Sequence, residues 1–428
     1  MISSIDPFDK FLPLLDGPER LAKQLCTARA NGRVARRTWE EAPPGCLPAA
    51  GRAMEALAWA HAMPQLAGSL PAEEWEALLA RLLEAASAAG EVELEREPLA
   101  HQLLAGELSW TLAGRLPDIA ACRKLERQGR AALSAGLARL LDGEGFPQAG
   151  NLAILRPLLA CWTRSQILGA QLPGGGFRPQ AARRYRRLIG NALRLARPDG
   201  RPPFSNGEAT CDAPLFDAAV RLGGDKNNRR VAAFALPPSR KQPPKRARKG
   251  AALPSAAAHS EEAAVAVLRR DWSRDSERLC VLYPDQSVTM ELVCGSGPLW
   301  SGPWQCEIRR DDDLACPIAP WRCSCWTSDD DADYLELELD LTGGLKIQRH
   351  ILLARKDRFL LLADAVLGDR PGRLQYRAVL PLAPGIAFQG ARESREGFCS
   401  ASRPPANGWR WCCRWPCRNG ASRRGWAR

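Results

Sequence analysis

Histidine and tyrosine are scarce in this chain, which has 428 residues and only four of each. A mechanism that needs several imidazole or phenol groups therefore has few places to find them. Long hydrophobic runs are also lacking: the longest, such as 359–363, are far too short to cross a bilayer. The N-terminus shows no basic segment followed by a long apolar run, so no secretory signal is visible. We therefore expect no membrane span and a cytoplasmic protein, or a periplasmic one if the start codon is misassigned.

Composition places the chain among ordinary globular proteins. Apolar residues make up 45% and charged residues 25%, which excludes a wholly disordered chain. The fifteen cysteines follow no disulfide framework, so we read them as reduced thiols. Five of them crowd one region, at positions 294, 306, 316, 323 and 325. Without paired CxxC spacing or a nearby histidine, they read as strand cysteines, with a zinc site as the alternative. No phosphate-binding loop or other cofactor motif occurs, so we predict no metal and no cofactor.

The net charge of +12 comes from two segments that contain no acidic residue. Residues 237–259, PPSRKQPPKRARKGAALPSAAAH, carry six basic side chains, and residues 407–428 carry six arginines. The rest of the chain is formally neutral. The basic balance therefore gives no support for a nucleic-acid partner, although a basic nucleic-acid tail at 237–259 is the alternative interpretation.

Hydrophobic periodicity divides the chain into two halves. Spacing of three and four residues predicts helices near 71–83, 118–137, 152–168 and 179–196, with Asp118 as the N-cap of the second. LDG and PDG turns end several of them, which favours helical hairpins. From residue 264 the period becomes two. It predicts strands at 264–268, 279–283, 288–294, 334–341, 345–353, 359–366 and 374–382. The predicted fold class is α+β and multidomain: a helical α/α toroid followed by an antiparallel β-sandwich.

Composition also predicts the domain boundaries. We assign residues 1–236 to the toroid, 237–262 to a basic Pro/Ala-rich linker and 263–406 to a truncated sandwich. Residues 407–428 are rich in Trp, Cys and Arg, whose codons are rich in G, and show no periodicity. Shifting the frame of one back-translation turns this stretch into two strand-like segments. We therefore interpret 407–428 as an out-of-frame tail.

Short motifs in a fixed order resemble the heparinase II/III-like family. In the helical half these are LDGEGFP at 141–147 and RPDGRPPF at 197–204. In the strand half they are VLRRDW at 267–272, then IQRHILL at 347–353 followed by FLLLAD. The resemblance covers about residues 50–390. It implies a toroid joined to a sandwich and β-elimination on an acidic, uronic polysaccharide.

The resemblance also implies where catalytic residues lie. Family members use Asn, His and Tyr from the toroid and another His from the sandwich. The Asn-His pair falls at Ala100-His101, so the histidine is retained and Gln102 offers an amide, with Glu107 one to two turns on. The tyrosine expected after the Asp142-Gly143 turn is absent, and Asn151 stands about there. The stretch 288–304, where the sandwich histidine belongs, contains none.

From these positions we predict a partial site. His101 and Tyr185 are the catalytic candidates, and His101 as a buried helical histidine is the alternative. Arginine can pair bidentately with carboxylate or sulfate. The substrate-binding candidates are Gln102, Asn151, Arg156, Arg183, Arg184 and Arg187, with a solvated helix face as the alternative for the arginines of 183–187. The predicted activity is that of a polysaccharide lyase. A non-catalytic carbohydrate-binding relative and a protein-interaction scaffold are the alternatives.

Overall fold

The computed structural model describes residues 11–30, 49–91, 93–205, 213–236, 253–295, 297–390, 396–401 and 411–414. The chain divides into two compact units. The helical unit comprises Met1–Ala266 and Trp272–Arg274, and the β unit comprises Val267–Asp271 and Asp275–Arg428.

The helical unit is a succession of helices joined by short turns. A π-helical segment, Gln102–Leu108, connects α4 directly to α5, and a 3-10 segment, Ala149–Ile154, leads into α7. The helices are α1 Gly17–Ala30, α2 Ala49–Leu66, α3 Ala72–Ala88, α4 Pro98–His101, α5 Ser109–Arg115, α6 Ala120–Arg139, α7 Leu155–Gly169, α8 Pro179–Leu195, α9 Ala213–Leu222 and α10 Lys226–Ala235.

Local sequence explains most of these boundaries. Helix α3 follows Pro71 and carries Glu73 and Glu74 in its first turn, where acids offset the positive end of the helix dipole. Helix α8 begins at Pro179 as predicted. The predicted cap of α6 is wrong, because the N-cap is Ile119 and no side chain caps this helix.

A tryptophan-centred core holds the helical unit together. Trp110 is fully buried, and its indole Nε1 donates to the Glu126 carbonyl at 2.9 Å. Gly129 and Gly169 line its slot: a Cβ added at either would come within 2.7 Å of the ring. These two positions accept glycine alone, because a methyl group there would displace the tryptophan.

The β unit consists of antiparallel strands. Strand orders are β1-β2-β3-β4-β5, β11-β10-β9-β8, β12-β6-β7 and β13-β14-β15. The strands are β1 Ala258–Ser260, β2 Val265–Arg269, β3 Arg278–Leu282, β4 Thr289–Cys294, β5 Gly297–Pro303, β6 Gln305–Arg310, β7 Asp313–Leu314, β8 Arg322–Ser328, β9 Ala332–Leu341, β10 Leu345–Ala354, β11 Phe359–Gly368, β12 Leu374–Val379, β13 Ile386–Gly390, β14 Glu396–Ala401 and β15 Trp411–Arg414.

Register in the β9-β10-β11 sheet places alternate residues on opposite faces. In β10 the buried positions alternate with half-buried ones up to Leu353, as the period-two pattern predicts. Arg349 falls on the buried face, where its guanidinium pairs with Asp364 through bonds of 2.8 and 2.9 Å. The guanidinium carbon also lies 3.7 Å from the centroid of the Trp304 ring. This buried charge is thus satisfied by a carboxylate and an aromatic face together.

Helices precede antiparallel strands along the chain, so the predicted fold class is confirmed. Most of the predicted linker, residues 237–252, lies outside the described residues. Its last part forms strand β1. Of the predicted out-of-frame tail, only β15 is described, and the remainder lies outside the described residues. No helix in the described ranges is long and apolar enough to cross a membrane.

Candidate functional site

The histidine and glutamine predicted as site residues lie where α4 becomes π-helical. His101 is the last residue of α4, and Gln102 is the first of the π segment. A π segment inside an α-helix is rare and often accompanies a functional site, since its wider turn reorients side chains. His101 is 9% exposed and Gln102 is fully buried.

The side-chain amide of Gln102 is fixed by two partners whose roles are unambiguous. Trp162 Nε1, which can only donate, lies 2.9 Å from Gln102 Oε1. Gln102 Nε2 donates to the Ala132 carbonyl, which can only accept, at 3.1 Å. The amide oxygen and nitrogen are therefore distinguished by their surroundings.

This amide determines the protonation of His101. Gln102 Nε2 lies 3.2 Å from His101 Nδ1, and since the amide nitrogen must donate, Nδ1 accepts. Burial lowers the pKa of His101, the positive charge of Arg139 lowers it further, and Glu95 opposes both. The imidazole is thus neutral near pH 7 and carries its proton on Nε2. In this state Nε2–H can donate to an anionic oxygen, but it has no lone pair to act as a base.

Tyr185, the other catalytic candidate, is a core residue. It is 1% exposed, and its hydroxyl lies 2.7 Å from Thr163 Oγ1. Thr163 spends its own proton on the Leu159 carbonyl at 2.6 Å, so Tyr185 donates to Thr163. Burial raises the pKa of Tyr185, and Thr163 offsets part of that rise. Within the described residues, no hydrogen bond joins Tyr185 to His101.

The arginines predicted to bind substrate divide into three groups. Arg184 Nη1 bonds the carbonyls of Leu137 and Leu141 at 3.4 and 3.1 Å, as well as that of Ala138, which closes the C-terminal end of α6. Arg187 Nη1 bonds the Gly143 carbonyl and lies 3.0 Å from the Glu144 carboxylate.

Arg156 is buried, with its guanidinium carbon 4.5 Å from the centroid of the Phe216 ring. Arg183 is exposed on α8. Asn151 is half-buried in the 3-10 segment before α7, away from any listed-type catalytic hydrogen bond in the described residues. Of these three residues, Arg183 alone presents its side chain fully to solvent.

Glu107, the carboxylate nearest to His101 in the helix sequence, forms a buried ion pair. Arg164 Nε lies 2.6 Å from Glu107 Oε1, and Arg164 Nη2 lies 2.8 Å from Oε2. Arg164 Nη1 also bonds the Leu14 carbonyl at 2.7 Å. This carboxylate is committed to structure, since both of its oxygens bind the guanidinium.

The remaining histidines have structural partners. His61 lies 3.2 Å from Arg115, and its pKa is lowered to about 3 by burial, Arg115 and Arg164. His259 lies in β1, where burial lowers its pKa to about 4. His350 Nδ1 lies 2.7 Å from the Tyr334 hydroxyl on the outer face of β9 and β10.

Metal-binding arrangements were also sought among the histidine, cysteine, aspartate and glutamate side chains. Within the described ranges, no three of them come together in a geometry that could hold a metal ion. A surface feature that sequence reasoning missed is a concavity lined mainly by basic residues of α6. The spacing of Arg123, Lys124, Arg127 and Arg130 along one helix is the signal that could have found it.

Comparisons with known proteins agree with this architecture. The fold is similar to that of heparinase III with methylated lysines, with a TM-score of 0.61 at 11% identity over 89% of this chain and 64% of that one. It is also similar to a mutant of the heparan sulfate lyase HepC from Pedobacter heparinus, with a TM-score of 0.57 at 12% identity over 89% and 63%.

The chain therefore spans less than two thirds of the length of these solved structures. No protein-family model and no curated protein matches the sequence. At 11–12% identity the likeness establishes a relationship of fold alone: this chain has the helical domain and antiparallel β domain seen in heparinase III.

Proposed function

We propose that this chain is a polysaccharide-lyase-like protein that binds an acidic polysaccharide without cleaving it. The observation that carries the proposal is the position of Tyr185, the only tyrosine of the helical half. Its hydroxyl is buried, bonded to Thr163 and held protonated. A general acid or base must come within hydrogen-bond reach of the substrate. Tyr185 meets that requirement only if α8 moves.

His101 supports the binding half of the proposal. Its neutral imidazole carries a proton on Nε2, held in that tautomer by Gln102. A polarised N–H at a nearly buried position suits an interaction with a carboxylate or sulfate oxygen. The neighbouring Glu107 is paired with Arg164 and so does not repel an anion.

The test uses the full chain with heparan sulfate, heparin and alginate. Affinity electrophoresis and calorimetry measure binding, and the absorbance of the unsaturated uronic product measures β-elimination. We expect retarded migration with no rise in absorbance. His101→Ala should weaken binding, whereas His350→Ala, in the β unit, serves as the matched control.

A lyase is the second candidate, and it is favoured by the retention of His101 near the surface. A rise in absorbance that is lost in His101→Ala would establish this second candidate and overturn the first. If Tyr185→Phe lost the same activity, α8 would have to open during turnover. Binding to none of the polymers would contradict both candidates and favour the interaction scaffold.

Two sequence predictions also stand as proposals. We infer that 1–236, 237–262 and 263–406 are the toroid, linker and sandwich, and that 407–428 is an out-of-frame reading. The second is supported by the tail's six arginines and its lack of acids and of periodicity. Resequencing the gene tests it: a clean, uninterrupted frame at the codons of 400–428 would overturn it.

A further inference from the structure

A surface concavity of about 490 Å³ lies on the helical unit. It is formed by one face of α6 together with the residue that precedes α8. Five basic side chains and one acidic side chain line it: Arg123, Lys124, Glu126, Arg127, Arg130 and Arg178.

The one acid in this concavity is already neutralised. Glu126 Oε1 lies 2.7 Å from Arg130 Nη2 and accepts the backbone N–H of Gly174 at 3.0 Å. Arg130 also donates to the Gly175 carbonyl at 3.1 Å, which fixes its guanidinium against the loop before α8. These contacts form a rigid floor of balanced charge beneath the remaining cations.

The other basic groups have no acidic partner in the described part of the chain. Arg123 donates to the carbonyls of Pro117 and Asp118 at 2.8 and 3.2 Å, which hold it in place without cancelling its charge. Lys124, Arg127 and Arg178 are exposed. This contrasts with α8, where Arg184 and Arg187 are engaged by carbonyls and by Glu144.

The charge is also unusual for this chain. Outside 237–259 and 407–428 the sequence is formally neutral, so a cluster of five bases around one paired acid is a local excess. Clustered like charges at a surface destabilise the fold unless a counter-charge binds. The concavity is therefore better explained by a ligand than by average composition.

We propose that this concavity binds the sulfate or carboxylate groups of an acidic polysaccharide chain, as a second contact area beside the His101 region. This rests on the proposed function, because the polysaccharide is the same. Arg123 and Arg130 are separated by seven residues, about 10 Å along the helix. A ligand that meets Lys124, Arg127 and Arg178 together must carry several anionic groups, as a charged polymer does.

A polysaccharide fits better than a single-stranded nucleic acid. Sites for single-stranded nucleic acid combine a basic groove with aromatic side chains on which bases stack. The six side chains that line the concavity include no aromatic residue. The chemistry present is guanidinium and ammonium, which pair with sulfate and carboxylate.

The experiment compares two triple variants of the full chain with the wild type, using heparan sulfate oligosaccharides as the probe. The test variant is Lys124→Gln/Arg127→Gln/Arg178→Gln. The control is Arg221→Gln/Lys226→Gln/Arg229→Gln, which removes the same charge from exposed positions on α9 and α10. A charge-preserving variant, Lys124→Arg/Arg127→Lys/Arg178→Lys, and circular dichroism show whether a loss comes from misfolding.

We expect the test variant to bind at least about tenfold more weakly and with a shallower salt dependence, because fewer ions are released on binding. The control and charge-preserving variants should bind as the wild type does. Equal affinity for the test variant and the wild type would overturn the concavity proposal while leaving the proposed function intact. No binding by the wild type would instead contradict the proposed function. Tighter, concavity-dependent binding of single-stranded RNA would overturn the assignment to polysaccharide.

Discussion

Replacing Glu107 with glutamine should cost more stability than the loss of any surface ion pair in this protein. The Glu107 and Arg164 side chains are 2% and 8% exposed, and two hydrogen bonds of 2.6 and 2.8 Å join them. Glu107→Gln keeps the volume and one acceptor but leaves the buried guanidinium without a counter-charge. Breaking a buried pair by neutralising one partner costs about 3–5 kcal/mol.

The matched control is Glu144→Gln. Glu144 lies 3.0 Å from Arg187, and these side chains are 73% and 52% exposed. Exposed pairs contribute less than about 1 kcal/mol. Urea titrations followed by far-ultraviolet circular dichroism give the free energy of unfolding for both variants and the wild type.

Two further measurements sharpen this test. A Glu107→Leu/Arg164→Met double variant should recover much of the loss, because apolar residues of similar volume can replace a buried ion pair. Arg164 also bonds the Leu14 carbonyl, so Glu107→Gln should speed hydrogen exchange near residues 11–15. Equal unfolding free energies for Glu107→Gln and Glu144→Gln would refute the reasoning.

Three other substitutions should have measurable effects. Burial raises the pKa of Glu55 from 4.5 to about 7, with a smaller opposing effect of Trp59. This raised pKa stabilises the fold fully below pH 4.5, and the stabilisation is lost as the pH rises through 7. Glu55→Gln should therefore match the wild type at low pH and exceed its unfolding free energy by about 3 kcal/mol at pH 8, as urea titrations at several pH values would show. Tyr185→Phe should cost only about 1 kcal/mol, since it removes one bond to Thr163, and polysaccharide binding should not change in calorimetry. Arg349→Met should lower the unfolding free energy of the β unit by about 3–5 kcal/mol, since it leaves the Asp364 carboxylate buried without its partner, and tryptophan fluorescence would report the transition.

Periodicity sufficed for the elements whose buried faces are regular. Helix α8 and strands β10 and β11 occupy nearly their predicted ranges because each alternates apolar and polar residues at its own period. Strand β8 was missed. Its sequence, RCSCWTS, is mostly exposed and has no apolar alternation, so pairing with β9 rather than burial defines it.

The use of individual side chains was less accessible from sequence. Arg184 and Lys124 look alike in sequence, as bases on amphipathic helices. The first bonds the carbonyls at the end of α6, and the second is left exposed, because of how α8 packs on α6. Likewise, nothing local distinguishes the buried Tyr185 from a surface tyrosine. The partner Thr163 lies on another helix, and only the fold brings the two together.

The π-helical segment makes the number of residues in the first half of the chain as consequential as their identity. A π turn accommodates about one residue more than an α turn, so Pro98–Arg115 can be viewed as an α-helix with an insertion. Deleting one residue between Gln102 and Leu108 would restore α geometry and rotate all later side chains by about 100°. Trp110 would then leave its slot between Gly129 and Gly169. An in-frame loss of a single codon there would be more harmful than many substitutions, and related genes should differ in this helix by replacement rather than by length.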